Sequence, residues 1–187
     1  MPIFQHPTKG RVLFIHIPKT GGSSIEAWLQ SHGYTLDKIN TWSGPANQHA
    51  PREVYSQWGH FDYKFTVVRE PLTRFISTLG FRMIHAVDGE RIATEILDSL
   101  HRNKLEINWG NHFQPQVDFV DDDVEVFKFE EDFFHSVSGA LKILGPFPHE
   151  NKSRTTVAAE HLSDKTIARI RQRYQQDYDT FGYEIQT

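Results

Sequence analysis

The stretch RVLFIHIPKTGGSSIEAWLQ, residues 11–30, runs from an apolar segment directly into a helical pattern. "RVLFIHI" is rich in β-branched and aromatic residues and reads as a buried strand. "SSIEAWLQ" sets Ile25, Trp28 and Leu29 on one helical face. The turn between them carries one lysine, two glycines and three hydroxyl side chains. Gly21 and Gly22 let the backbone come close to a ligand. The following helix points free N–H groups and its positive dipole end back at the turn. With the hydroxyls of Thr20, Ser23 and Ser24 and the charge of Lys19, this is a cradle for a phosphate or a sulfate. An ordinary strand–helix turn would account for the glycines and a serine cap. It would not account for a lysine and three hydroxyls packed together.

Further along, "YKFTVVRE" reads as a second core strand, and Pro71 suits the first turn of a helix. Leu72, Phe75, Ile76, Leu79 and Met83 form that helix's apolar stripe, and residues 90–102 continue as helix with Ile92, Ile96 and Leu100 aligned. "VEVFKFE" is a third strand, with Phe134, Val137, Leu141 and Leu144 marking the helix after it. A last helix is expected from its N-cap Ser163, with Ile167, Ile170, Tyr174 and Tyr178 in register. Strands alternating with helices predict an α/β fold with a central, mainly parallel sheet flanked by helices. Ligands of such sheets bind at the carboxyl ends of the strands.

The chain has 187 residues, a length that predicts one domain spanning 1–187. Its net charge of −4 gives no support for a nucleic-acid partner. Cysteine is absent, which removes disulfides and thiolate metal sites and fits a reducing compartment. The early apolar run is too short for a membrane span and lacks the form of a signal peptide, so a cytoplasmic protein without membrane attachment is expected.

The Walker A pattern places lysine after its glycines, whereas Lys19 precedes Gly21 and Gly22. "HIPKTGGSSI" instead resembles the 5′-phosphosulfate loop of sulfotransferases that use 3′-phosphoadenosine 5′-phosphosulfate (PAPS). "VVREPLTRFIST" resembles the same family's 3′-phosphate motif, an arginine at a strand end and a serine eight residues later, which are Arg69 and Ser77 here. "NQHAPREVY", "FQPQVDFV", "VEVFKFEED", "ENKSR" and "YDTFGYE" are similar to pieces of the carbohydrate-type members. The resemblance implies a P-loop-like fold and PAPS as cofactor, released as 3′-phosphoadenosine 5′-phosphate (PAP). It implies nucleotide contacts from Pro18, Lys19, Thr20, Gly21, Gly22, Ser23, Ser24, Arg69 and Ser77, and from a late basic loop, Lys152, Ser153 and Arg154.

Sulfuryl transfer resembles phosphoryl transfer, with charge developing on the leaving oxygen. Lys19 suits its neutralisation. Histidine suits removal of the acceptor's proton. His49, in the polar segment before the Arg69 strand, is the expected base, by similarity to the carbohydrate enzymes. His60, in "WGHFDY", is the alternative. His16 reads as a packed core histidine, and His112 as a candidate for the acceptor cleft. Trp42, Trp58 and Trp109 offer rings for a sugar face, although aromatic packing is the commoner use. The acidic runs 121–123 and 130–132 read as a turn and a helix start rather than a metal site, and no metal is expected. The acceptor is then a hydroxyl compound, with a saccharide one candidate. A P-loop kinase or nucleotide hydrolase, and a non-catalytic PAP-binding module, are the alternatives.

Overall fold

The computed structural model describes residues 1–39, 48–82, 84–102, 110–146 and 157–185. The strands are β1 (Pro2–His6), β2 (Gly10–Ile15), β3 (Thr35–Ile39), β4 (Tyr63–Val68) and β5 (Glu125–Lys128). The helices are α1 (Gly22–Ser31), α2 (Arg52–Tyr55), α3 (Pro71–Phe81), α4 (Gly89–His101), α5 (Phe133–Leu141), α6 (Asp164–Arg173) and α7 (Gln175–Phe181). The sheet order is β3-β1-β2-β4-β5. β2, β4 and β5 pair in parallel, while β1 runs against both β2 and β3. Only β1 among the described strands therefore points the other way, and the fold is α/β with a mostly parallel sheet.

The central strands are covered on both faces, which is why they read as unbroken apolar runs. Val12, Phe14, Phe65 and Val67 pack with Ile25, Trp28 and Leu29 of α1 and Val137 and Leu141 of α5. Leu13, Ile15 and Val68 turn the other way, onto Tyr55, Phe119 and Phe181. A third apolar cluster joins α3, α4 and α6 through Leu72, Phe75, Ile96 and Ile170. Trp58 packs against the second cluster.

Four expectations need correction or fall outside the described residues. β1 and β3 were not expected. β1 is short and begins at a proline, and β3 is an edge strand whose Asp37 and Lys38 dilute any apolar pattern. The last helix is two helices, because Tyr174 leaves helical geometry at φ −106°, ψ 20°, with its hydroxyl donating to the Phe113 carbonyl at 2.8 Å. α5 ends at Lys142 in a left-handed cap, so Leu144 lies beyond it and is 95% exposed. Met83 lies outside the described residues, but Ser163 caps α6 as expected, accepting from Thr166 N.

Candidate functional site

β2 ends at Ile15 and α1 begins at Gly22, so six residues form the loop at the carboxyl end of the strand. The hydroxyl of Thr20 donates to the Ile17 carbonyl at 2.9 Å and closes the loop, so its proton is committed there rather than offered to a ligand. Ser23 is exposed and Ser24 is buried. Gly21, the N-cap of α1, has φ +85°, a conformation that a side chain resists. Gly22 is required for a different reason: a Cβ there would sit 2.1 Å from two atoms of the His16 ring. No side chain caps α1 and no acidic residue lies in its first turn, which leaves the helix end open to an anion.

Lys19 is held at φ +70°, a strained conformation for a residue with a side chain. Its ammonium lies 4.4 Å from the centroid of Phe81 at the end of α3. Burial, and then the charge of Arg69, pull its pKa below the ordinary value. Arg69 follows β4, the parallel neighbour of β2, so both motifs emerge at the same carboxyl ends of the strands. Its Nη1 donates to the Lys19 carbonyl at 3.3 Å, its guanidinium rests 4.6 Å from the centroid of Phe129, and its Nε is buried with no hydrogen-bond partner among the described residues. Such a nitrogen beside the loop is a donor that an anion could occupy. Ser77 is buried on α3, and no hydrogen bond joins it to Arg69.

Three imidazoles stand beside the loop. The rings of His16 and His49 meet edge to face at 4.7 Å between centroids, and those of His49 and His112 at 5.3 Å. His49 Nδ1 lies 2.7 Å from the His16 carbonyl oxygen. A carbonyl can only accept, so Nδ1 carries the proton and Nε2 keeps its lone pair. Asn111 Nδ2 donates to the His49 carbonyl at 2.9 Å and fixes its backbone. Burial, and then the charge of His16, hold the His49 pKa well below its ordinary value. Burial, with the charges of Arg82, Lys19 and Arg74, takes His112 down to about 3. His112 stacks on Phe81 at 5.3 Å, and its Nδ1 is buried without a partner among the described residues. His16 is buried as expected, but it is more than core packing, because its Nδ1 donates to Glu26 at 2.5 Å.

His60 lies at the opposite end of the strands, before β4 begins. Its side chain is 87% exposed, and its carbonyl accepts from Arg11 at the start of β2. Trp42, Trp109, Lys152, Ser153 and Arg154 lie outside the described residues. Sequence reasoning missed Glu26, Phe81, Gln116 and Asp177. Glu26 shares no local motif with His16, but a carboxylate one turn into a helix after an anion loop was a readable signal. A cavity of about 620 Å³, lined by residues that include Arg52, Asp121, Val124, Phe127 and Phe181, contains none of the predicted site residues. Arg69 Nε and His112 Nδ1, buried without a partner among the described residues, lie instead beside the loop.

The family model described as the sulfotransferase family matches residues 2–184. No curated protein and no solved structure matches the chain.

Proposed function

Since the chain belongs to the sulfotransferase family, we propose that it moves a sulfuryl group from PAPS to a hydroxyl acceptor, with saccharides first among the acceptors to test. Residues 1–187 would then act as one sulfotransferase domain. The observation that carries this reading is the meeting of the two anion motifs, with Arg69 bonded to the Lys19 carbonyl and its Nε buried without a partner among the described residues. The residues fit the nucleotide: an uncapped helix end and Lys19 for the 5′ side, Arg69 and Ser77 for the 3′-phosphate.

PAPS, when bound, supplies the sulfuryl group and a phosphate leaving group. The amides at the start of α1 and the hydroxyls of Ser23 and Ser24 bind the anion. Lys19 neutralises charge as it develops on the departing oxygen, an interaction stronger in the transition state than before it. His49, with its Nε2 lone pair free, takes the acceptor's proton. His112 and Phe81 form the acceptor side of the site. Pro18 shapes the loop, and Lys152, Ser153 and Arg154 belong to the nucleotide side by family resemblance.

Radiolabelled PAPS offered with a panel of hydroxylated acceptors, saccharides included, tests the reading. Transfer to any of them without added metal supports it. PAP binding with no transfer would make the chain a non-catalytic binding module. Magnesium-dependent hydrolysis of ATP would establish the kinase or hydrolase alternative.

A further inference from the structure

Arg69 sits where the sheet runs out. Val68 still pairs with Lys128 of β5, and its carbonyl accepts from Phe129 N at 2.8 Å. The N–H and C=O of Arg69 lie past both neighbouring ladders and need other partners. The side chain of Gln116 supplies both. Arg69 N donates to Gln116 Oε1 at 2.9 Å, and Gln116 Nε2 donates to the Arg69 carbonyl at 2.8 Å. One amide thus extends the sheet by one residue, at the position that carries the guanidinium.

Gln116 is fully buried and is itself held from α7. The Asp177 carboxylate accepts from Gln116 N at 2.9 Å and from Val117 N at 3.0 Å. These are the first donors of the short 3-10 helix Gln116–Phe119, so Asp177 serves as its cap from a distant part of the chain. Asp177 is also fully buried, and burial raises its pKa while the charge of Arg74 and these N–H groups oppose the rise. A continuous path therefore runs from α7 through Asp177 and Gln116 to the Arg69 backbone, and from the guanidinium to the Lys19 carbonyl.

We propose that Gln116, anchored by Asp177, is a positioning residue that aims Arg69 at the 3′-phosphate of the nucleotide and so sets the preference for PAP over AMP. This rests on the nucleotide site proposed above. The physical reason is that a guanidinium binds phosphate through a rigid fork, whose aim depends on the backbone that carries it. Past the end of a strand, nothing else among the described contacts fixes that backbone on both of its polar groups.

PAP and AMP differ by the 3′-phosphate alone, so calorimetric titration of the full chain with each nucleotide reads this role directly. Gln116→Met should lose about tenfold or more in PAP affinity while AMP affinity changes little. A purely structural role would weaken both nucleotides together. An unchanged ratio of PAP to AMP affinity, or equal losses for both, overturns the proposal. Gln116→Asn keeps the amide but is too short to reach both Arg69 groups, and it is read in the same way, so misfolding of the methionine variant leaves the test standing. If the wild-type chain binds PAP no better than AMP, the nucleotide site itself is wrong, and that result comes before any variant is made.

Discussion

The ammonium of Lys19 lies over the ring of Phe81, 4.4 Å from its centroid, although Phe81 is 55% exposed. An exposed aromatic ring next to a half-buried lysine shields the charge from water on one side. Lys19→Ala should lower turnover by about 100- to 1000-fold, because the lost contact acts mainly on the developing charge. PAP binding should fall much less. Phe81→Leu should lower turnover by a smaller factor, about 3- to 10-fold, in line with a cation–π contact. Steady-state transfer assays beside PAP titrations measure both, and normal turnover in folded Lys19→Ala would remove the lysine from the mechanism.

His49→Ala should lose about 100- to 10000-fold in transfer rate while PAP affinity is nearly kept. His60→Ala, at the far end of the strands, should behave like the wild type. Assayed side by side, a dead His60→Ala with an active His49→Ala would reverse the assignment.

Two glycine substitutions should move stability in opposite directions. At Gly22 a methyl group would overlap the His16 ring, so Gly22→Ala should cost about 1–3 kcal/mol and displace that ring from Glu26. Gly139 lies inside α5 with nothing within 4 Å of an added Cβ. Gly139→Ala should therefore stabilise by about 0.5–1 kcal/mol, through helix propensity and a stiffer unfolded chain. Denaturant melts of both proteins decide it, and a stabilised Gly22→Ala would mean that the ring is elsewhere in solution.

Stability should fall on mild acidification. The folded protein keeps His49 and His112 neutral below their ordinary 6.5, so between that value and their folded values the unfolded chain binds more protons. The buried amino terminus, lowered to about 5 by burial, acts in the same direction. Glu26 joins below 4.5: burial alone would raise its pKa, but the His16 hydrogen bond and charge lower it, so its contribution is present above 4.5 and lost below. Asp177, raised by burial, opposes this only in the carboxylate range. Each proton contributes a slope of about 1.4 kcal/mol per pH unit within its window. Melts from pH 7 to pH 5 should show the loss, and His49→Gln should flatten it. A flat wild-type profile would contradict the neutral rings.

The strand–loop–helix of residues 11–30 was legible because its signals are local: an apolar run, two glycines, then an apolar face at helical spacing. Arg69 was legible for the same reason, as a charge at a strand end before Pro71. Gln116 and Asp177 were not, because their partners are backbone groups 47 and 61 residues away and such bonds leave no periodic trace. The break at Tyr174 was hidden by an apolar register that continues through it, while a tertiary hydrogen bond to Phe113 decides the geometry. β1 escaped because five residues beginning with proline look like a leader to the strand rather than its antiparallel partner.

His49 and His112, beside the loop, have room for very little charge. With ring centroids 5.3 Å apart, a proton on one raises the cost of a proton on the other. In the free protein burial already discourages the first on His49 and His112. An incoming anion works partly against that penalty, because negative charge at the loop favours imidazolium beside it. Nucleotide binding should then draw protons from the buffer, fewer than one per ring. The heat measured on titrating PAP would change with the ionisation enthalpy of the buffer, and the slope would count the protons taken up.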